Sequence, residues 1–209
     1  MTRSRYFVLS AIVLACASSA RAVPSAALSH IPSHILLVGR TDALADTATG
    51  AFTVVVHDAA NNPVDNSTVE VRILNCPGAR LGTQAYVQGA TIQSGTHGVL
   101  ATTDLYGEVR MTIVGAGTAG APAGAGTCVQ IYASGVLLGQ ASLAYLDMDG
   151  SSGVGANDLA LWLLDFGSGE DIGRSDYDGS GLLTAGDLSL WLEFWGAGES
   201  FQSPAAYCP

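Results

Sequence analysis

The sequence predicts a mainly β protein that ends in a small helical unit, and three observations support this prediction. Between residues 30 and 146, short segments that are β-branched or alternate between apolar and polar residues follow one another, with turn signals between them. No helical period is visible in that region. Near the C-terminus, two Asp-rich segments are each followed by an apolar run with a period of three to four residues, which is typical of a helix.

The first 22 residues are typical of an export signal. Arg3 and Arg5 precede an apolar run over residues 7–15, and residues 20–22 (A-R-A) provide a cleavage site of small residues. The apolar run is too short to span a membrane. We therefore expect a secreted or cell-surface protein that begins at Val23, and no other segment of the sequence is predicted to span a membrane.

The β-rich region, residues 23–145, contains six predicted strands. Alternation is clearest at Val69, Val71 and Ile73, which share one face of a strand; a second strand repeats the pattern, with Arg110 and Thr112 facing outward. Strands at this spacing predict an antiparallel β-sandwich with a single core. The six segments are residues 34–38, 52–57, 68–74, 109–113, 128–133 and 136–145.

The four cysteines allow two kinds of chemistry. Cys16 ends the segment V-L-A-C, which resembles a lipobox, so a lipid anchor through Cys16 is the alternative to soluble export. Cys76 and Cys128 both lie in the β-rich region, and we expect them to form a disulfide in an oxidising compartment. Cys208 is then left over, either free or paired between molecules.

Two motifs in the β-rich region resemble a known domain type. They are V-V-V-H-D-A-A-N-N-P-V at residues 54–64 and T-T-D-L-Y-G-E-V at residues 102–109. Both are similar to motifs of the bacterial Ig-like domains of the invasin and intimin type, over about residues 33–145. The resemblance implies an Ig-like fold for residues 23–145 and a role as spacer, adhesive unit or substrate-binding module, without assigning a ligand site.

Residues 147–158 and 176–187 repeat each other and are typical of calcium loops. They read D-M-D-G-S-S-G-V-G-A-N-D and D-Y-D-G-S-G-L-L-T-A-G-D, with oxygen-bearing side chains at positions 1, 3, 5 and 12. Ca²⁺ takes about six to eight oxygen ligands, which short Asp and Ser side chains on a tightly wound loop can supply. Two such loops in tandem predict two bound calcium ions.

An Asp at position 12 and one clear helix after each loop resemble the dockerin modules of secreted bacterial proteins, over about residues 145–198. The resemblance implies a small α-helical, paired EF-hand-like module at residues 146–198, followed by a tail at residues 199–209. The metal ligands that it implies are Asp147, Asp149, Ser151, the carbonyl of Gly153 and Asp158 in the first loop, and Asp176, Asp178, Ser180, the carbonyl of Leu182, Thr184 and Asp187 in the second.

The two loops are expected to differ in affinity. Position 6 needs a positive φ, and it holds Gly181 in the second loop but Ser152 in the first. A side chain in that conformation costs roughly 1 kcal/mol, or about fivefold in affinity. Thr184 also offers an oxygen at position 9, where Gly155 leaves the place to water. We therefore predict a tighter second site, and a first site that Ser152→Gly improves.

The helices repeat one apolar face, which we predict to form the contact between them. The face consists of Leu159, Trp162, Leu163 and Phe166 in the first helix and of Leu188, Trp191, Leu192 and Trp195 in the second. Val154 and Leu183, at position 8 of the loops, are expected to form a β-bridge. Leu161, Leu190 and Phe194 lie outside the face, and contact with the core or the preceding domain is favoured for them over contact with a partner.

Charge is concentrated at the C-terminal end of the chain. The eight basic residues are all arginine, and three of them leave with the first 22 residues, so five remain against 18 acidic residues and the net charge becomes −13. Residues 147–209 hold eleven of these acids and one arginine, a net charge of −10. Such a segment repels itself unless cations neutralise it. The same balance argues against nucleic-acid binding.

Catalytic motifs are missing from the sequence. Residues 115–120 spell G-x-G-x-x-G after a strand, but A-P-A-G follows instead of a helix, so we expect a flexible loop rather than a dinucleotide site. The four histidines accompany neither G-x-S-x-G nor H-E-x-x-H. We expect a protein that is not an enzyme.

The dockerin resemblance implies a secreted binding or scaffolding protein whose calcium-dependent module docks to a cohesin-like or other surface protein. Loop positions 10 and 11, where the family often has hydroxyl residues for recognition, hold Ala and Asn in the first loop and Ala and Gly in the second. Two alternatives remain. In one, the calcium module only caps and stabilises the sandwich; in the other, the protein assists polysaccharide binding or catabolism.

Overall fold

Twelve strands and two α-helices make up the computed structural model, which describes residues 22–41, 44–45, 48–73, 75–76, 78–82, 90–93, 97–118, 127–151, 153–168 and 173–196. The strands are β1 (His34–Leu37), β2 (Arg40–Thr41), β3 (Leu44–Ala45), β4 (Ala51–Val55), β5 (Thr68–Arg72), β6 (Arg80–Leu81), β7 (Thr91–Gln93), β8 (Gly98–Thr102), β9 (Glu108–Thr112), β10 (Gly115–Ala116), β11 (Thr127–Ala133) and β12 (Val136–Tyr145). The helices are α1 (Ala156–Ser168) and α2 (Ala185–Gly196), and a 3-10 turn, Gly173–Ser175, lies between them. The prediction of a mainly β chain is confirmed.

The largest sheet has six strands in the order β1-β12-β11-β5-β8-β7. Strand β4 pairs with β9, and two-residue ladders join β2 to β3 and β6 to β10. The arrangement is not purely antiparallel as predicted, because β1 runs parallel to β12, from His34 opposite Ser142 to Leu37 opposite Tyr145. These two strands lie at opposite ends of the β-rich region, so no short hairpin forces them to be antiparallel.

All six predicted strands are present with small shifts at their ends. The prediction that Val69, Val71 and Ile73 share the inward face of a strand is confirmed, since all three are buried. The prediction for Thr112 is wrong: it is buried rather than outward-facing, because Gly50 packs against it. Strand β8 was missed, although Val99 and Ala101 alternate inward there, because Gly and Ala weaken a β-pattern.

The two motifs that resemble Ig-like domains lie against each other. The backbone N–H of Val56 donates to the carbonyl of Gly107 at 2.8 Å. The buried hydroxyl of Thr103 donates to the carbonyl of Val64 at 2.7 Å and accepts from the N–H of Ser67 at 2.9 Å. Segments far apart in sequence therefore form one hydrogen-bonded corner of the β-region.

The predicted disulfide is confirmed: Cys76 is bonded to Cys128. Cys76 follows strand β5, and Cys128 lies within β11, the neighbour of β5 in the large sheet. The bond therefore ties the turn after β5 to that sheet. Cys16 and Cys208 lie outside the described residues.

The predicted helical face is only half right. Trp162 and Trp191 are buried, and Leu159 and Leu188 pack partly against the core. The remaining four residues of the face are about half exposed: Leu163, Phe166, Leu192 and Trp195. The three residues set outside that face contact the core, as the sequence favoured: Leu161 and Leu190 pack partly against it and Phe194 is buried in it.

Helices and sheets share one hydrophobic core. Trp162, Tyr177, Trp191 and Phe194 are buried in the same cluster as the inward residues of strands β1, β4, β5, β9 and β12. Loop residues Val154 and Leu183 pack partly against this cluster, but the β-bridge predicted between them does not form. The helical unit is therefore seated on the β-region directly after strand β12 ends. Neither helix in the described part of the chain has the length and apolarity needed to cross a membrane.

Candidate metal centres

Each of the two Asp-rich loops brings three carboxylates together. Asp147, Asp149 and Asp158 can place one oxygen each within 4.8 Å of one another, and Asp176, Asp178 and Asp187 do the same. Both clusters mix buried and more exposed carboxylates, with positions 1 and 12 buried. Because hard divalent cations bind clustered carboxylate oxygens, both groups can hold a metal ion. The sequence had placed all six residues in these roles.

The position-12 carboxylates accept hydrogen bonds from the backbone of their own loops. Asp158 accepts the backbone N–H groups of Met148 at 2.6 Å, Asp149 at 3.0 Å and Gly155 at 2.6 Å. Asp187 does the same in the second loop, with Tyr177 at 2.8 Å, Asp178 at 3.2 Å and Thr184 at 2.8 Å. Each side chain also stands in the first turn of its helix, where negative charge is favourable.

The position-1 carboxylates hold the turn of each loop. Asp147 accepts the N–H groups of Gly150 at 2.7 Å and Gly153 at 3.1 Å. Asp176 accepts those of Ser180 at 3.0 Å and Gly181 at 2.8 Å. The backbone therefore wraps around both carboxylates, with their oxygens fixed by hydrogen bonds before any ion is considered.

The remaining implied ligands fall into two groups. Ser180 and Leu182 are adjacent, since the Ser180 hydroxyl donates to the Leu182 carbonyl at 3.1 Å, so both oxygens can face one ion. Ser151 lies on the exposed side of the first loop, where its N–H donates to Asp149. A Cβ on Gly155 would lie 3.9 Å from the carbonyl oxygen of Gly153 and 3.8 Å from Oδ2 of Asp158, and the role of water at position 9 stays a prediction.

Thr184 has a structural role that the sequence analysis missed. Its hydroxyl accepts the N–H of Gly186 at 3.0 Å, which caps the N-terminus of helix α2. Asp187 reaches back to the N–H of Thr184, so the two residues form a reciprocal capping box. The T-x-x-D spacing was the available signal. Its role as an ion ligand stays a prediction.

The two clusters concentrate carboxylates whose pKa values are shifted by burial and by one another. Burial, followed by repulsion from Asp158, raises the pKa of Asp147 to about 6. Burial likewise raises the pKa values of Asp158 and Asp176. At Asp178, which is exposed, a hydrogen bond from the Ser180 side chain lowers the pKa. A divalent cation at either cluster would relieve this unfavourable charge.

The arginine of the Asp-rich segment pairs with a carboxylate outside the two clusters. Arg174 is the single base of residues 147–209, and its guanidinium binds buried Asp165 at 2.7 and 2.6 Å. His34 approaches the second loop, but burial lowers its pKa and outweighs the attraction of Asp176. The lowered pKa favours the neutral form of His34.

Both loops pack closely against the β-region at the glycine in position 4. Gly150 and Gly179 each have a φ of 69°. A Cβ on Gly150 would lie 2.6 Å from the carbonyl oxygen of Gly117, and one on Gly179 would lie 2.7 Å from the side chain of His34. Both the conformation and the close approach therefore require glycine. Neither His34 nor Gly117 carried a sequence signal for this role.

The contact between the first loop and the β-region corrects the prediction made for the Gly-Ala segment. Residues 115–116 were assigned to a flexible Gly-Ala loop, but they form strand β10, and the N–H of Gly117 donates to the carbonyl of Asp147 at 2.6 Å. This segment is ordered because it pairs with β6 and meets the first Asp-rich loop. Residues 119–126 lie outside the described part of the chain.

The predicted difference between the sites depends on Ser152, which lies outside the described residues. At position 6 of the second loop, Gly181 has the expected positive φ of 81°. In the first loop, Gly153 at position 7 has a φ of 131°, so the two loops differ in winding.

We still expect Asp176→Ala to lower total calcium affinity more than Asp147→Ala, as measured by calorimetric titration. A larger loss from Asp147→Ala would contradict the strain argument.

Protonation of Asp147 predicts a pH-dependent effect on the metal-free protein. A folded pKa of about 6, above the unfolded value, means that the stability contributed by this group is full below about pH 4 and is lost as the pH rises through 6. Asp147→Asn mimics the protonated form. Its unfolding free energy relative to the parent should therefore rise by about 2 kcal/mol between pH 4.5 and 7.5.

Thermal or urea unfolding of metal-stripped protein measures this difference. Comparing the two proteins at each pH cancels the opposite contribution of His34, whose lowered pKa favours folding at higher pH. A difference between parent and variant that does not change with pH would show that Asp147 ionises without penalty.

Comparison of the chain with family models, with curated proteins and with solved structures gives no match. The interpretation of the clusters therefore rests on their geometry and on the repeat in the sequence.

Proposed function

We propose that this protein is an exported, non-catalytic calcium-binding protein in which two Ca²⁺ ions fasten a helical module to a β-domain. In this proposal the β-domain is an Ig-like sandwich, and the module is a dockerin-like pair of EF-hand-like loops. One observation carries the proposal: two clusters of three carboxylates, each formed by a single loop, lie in loops that pack closely against the β-region.

Calcium fits the donor set better than other common metal ions. The donors near each cluster are carboxylate, hydroxyl and carbonyl oxygens, which hard cations prefer over zinc or copper. Mg²⁺ demands an octahedron and gives up water reluctantly, whereas Ca²⁺ accepts irregular shells of carboxylates and carbonyls. The backbone-wrapped loops offer such an irregular shell.

Titration of the mature chain with calcium tests the proposal. We expect two bound ions per chain, and none in the double variant Asp158→Asn/Asp187→Asn, because both buried anchors of the clusters lose their charge. Asp104→Asn is the matched control, since Asp104 also accepts two backbone N–H groups, from Tyr106 and Glu108, but on an exposed turn without a carboxylate cluster. A parent protein that binds no calcium would refute the proposal.

The shared core favours capping of the protein's own β-domain as one role of the module. Buried Trp162, Trp191 and Phe194 belong to the same cluster as the inward strand residues. The module can therefore stabilise the β-domain without any partner, through contacts that calcium holds in place.

Docking to a cohesin-like or other surface protein is the second candidate, and exposed apolar residues favour it. Five large apolar side chains of the helices are between 45% and 67% exposed: Leu163, Leu164, Phe166, Leu192 and Trp195. They lie on helix surface that is not buried against the β-region. Single polar substitutions such as Leu164→Ser should abolish calcium-dependent capture of a surface protein without lowering stability. Loss of stability instead would assign this surface to folding.

A further inference from the structure

The end of the β-region that lies away from the first Asp-rich loop is formed by turns and by the N-terminal segment. Strand β12 begins at this end, directly after the turn at Ser134 and Gly135, and is ten residues long. At about 3.3 Å per residue, its two ends lie about 30 Å apart. The pairing of β4 with β9, of β5 with β8 and of β5 with β11 brings residues 56–67 and 103–107 to the same end. These turns therefore form a surface that shares no residue with the two candidate metal centres.

A cavity of about 620 Å³ opens on this surface. Its walls combine the apolar side chains of Val23 and Pro63 with the polar side chains of Asp65, Asn66 and Ser134. Sites for small molecules usually have volumes of about 300–1,000 Å³, apolar walls and a few polar groups. Protein partners instead cover extended surfaces of about 800 Å² on each side. The cavity therefore suits a small molecule, or one unit of a longer chain, better than a protein surface.

Hydrogen bonds hold the walls of the cavity in place. The hydroxyls of Ser67 and Ser134 lie 2.9 Å apart, and the N–H of Ser67 donates to the hydroxyl of Thr103 at 2.9 Å. On the N-terminal side, a β-bridge joins Pro24 to Asp58. Because the backbone is fixed on both sides, the cavity is preformed and a ligand does not have to order it.

Asp65 and Asn66 are polar groups of the cavity that the fold does not use. Neither side chain forms a hydrogen bond within the part of the chain that the structure describes. The carboxylates of Asp58 and Asp104, at the same end, instead accept backbone N–H groups of their own turns. A carboxylate and an amide side by side are therefore available to accept and donate hydrogen bonds to a ligand.

The charges of the cavity favour a neutral ligand. In the chain from Val23 onward, the α-ammonium group belongs to Val23 and the unpaired carboxylate to Asp65, and both residues line the cavity. No other charged side chain is found among the described residues of its walls. The two charges cancel, so neither an anion nor a cation is selected.

Exposed apolar side chains are concentrated at the same end. Leu28 belongs to it, because its carbonyl lies 3.1 Å from Nδ1 of His57. Of the described β-region residues, the five large apolar ones that are exposed all belong to segments at this end: Val23, Leu28, Leu105, Tyr106 and Leu137. Sugars combine hydroxyls, which both donate and accept hydrogen bonds, with C–H faces that can pack against apolar side chains.

We propose that this cavity binds one unit of a neutral oligosaccharide. The Asp65 carboxylate accepts hydrogen bonds from sugar hydroxyls, the Asn66 amide donates and accepts beside it, and Val23 and Pro63 pack against the C–H face of the ring. The site does not depend on calcium binding, because the two sets of residues are separate.

Affinity electrophoresis of the chain from Val23 onward tests the proposal. Native gels contain starch, mannan, galactan or a soluble β-glucan, all of which are neutral, and matched gels contain polygalacturonate, which is acidic. We expect at least one neutral polysaccharide to retard the protein and polygalacturonate to leave its mobility unchanged. The dependence of mobility on polysaccharide concentration gives the affinity.

Two variants test the assigned residues. Asp65→Ala should weaken the binding at least about tenfold, and Asn66→Gly at least about threefold. Glycine suits the second position because Asn66 has a φ of 54°. Asn61→Gly is its matched control, since Asn61 has a φ of 63° and does not line the cavity. Glu193→Ala, on the exposed side of helix α2, is the control for the loss of a carboxylate.

Both controls should keep the parent's affinity, and all four variants should keep its unfolding midpoint. Failure of every neutral polysaccharide to retard the parent would overturn the proposal, as would equal retardation by polygalacturonate. Binding that survives both Asp65→Ala and Asn66→Gly would place the sugar site elsewhere on the protein and overturn this assignment. Retardation by polylysine alone would identify the surface as one that binds basic peptides instead.

Discussion

Removal of the two proposed calcium ions is expected to lower the free energy of unfolding of the chain from Val23 onward by about 5 kcal/mol. An ion present at about 100 times its dissociation constant stabilises the folded state by about 2.7 kcal/mol, and two sites are proposed. Because helices and sheets share one core, we expect the helical and β signals of circular dichroism to be lost together in one transition at a lower temperature in EGTA.

The helical segment by itself, residues 145–198, is also expected to lose its helices in EGTA, since it is small and strongly acidic.

Excess calcium should restore the transition, and the same concentration of magnesium should not. The double variant Asp158→Asn/Asp187→Asn provides the matched control, because its transition should not respond to calcium. An unchanged midpoint in EGTA would contradict calcium binding. Two separate transitions, of which only the helical one moves, would show that the module does not stabilise the β-domain.

Loss of the Cys76–Cys128 disulfide is expected to destabilise the protein by about 4 kcal/mol. The bond closes a loop with a sequence separation of 52, and loop-closure entropy predicts a cost of that size for the unfolded chain. Urea unfolding of the Cys76→Ser/Cys128→Ser variant, with calcium present, measures the loss. Cys208→Ser is the control and should leave the midpoint unchanged.

Peptide mapping without reductant should find Cys76 and Cys128 in one linked pair. A linkage of either residue to Cys208 would overturn this pairing and would join the two units covalently. A midpoint in the double variant equal to that of the parent would show that the bond does not constrain the unfolded chain.

Strand positions were predictable where side-chain alternation was strong. Val69, Val71 and Ile73 alternate with polar residues, and burial follows that order because a strand turns successive side chains to opposite faces. Strand β8 was missed because its alternation between apolar and polar residues is weak. Two-residue strands such as β10 are defined only by their pairing with another strand, which the sequence pattern does not show. Strands β1 and β12 come from distant segments of the chain. No local pattern in the sequence predicts that they pair, or that they pair in parallel.

Carboxylate clusters were predictable for a local reason. All three Asp residues of each cluster lie within twelve consecutive residues, so the loop itself brings them together. The partners that hold each loop in place were not predictable. Gly117 and His34 come from segments far away in the sequence, and only the folded β-region carries them to Gly150 and Gly179.

Helix orientation shows what the sequence leaves open. Both helices are apolar on most sides, with Leu161, Leu163 and Leu164 around the first one, so the 3.6-residue period permits more than one buried face. The sequence by itself determined the strand-rich region, the disulfide pair, the two Asp-rich loops and the helices that follow them, because each depends on spacing within a short segment or on residue chemistry. The tertiary structure alone decided which helical face is buried and how the loops meet the sheet, because those contacts are selected by the shape of a surface that forms only when distant strands pair.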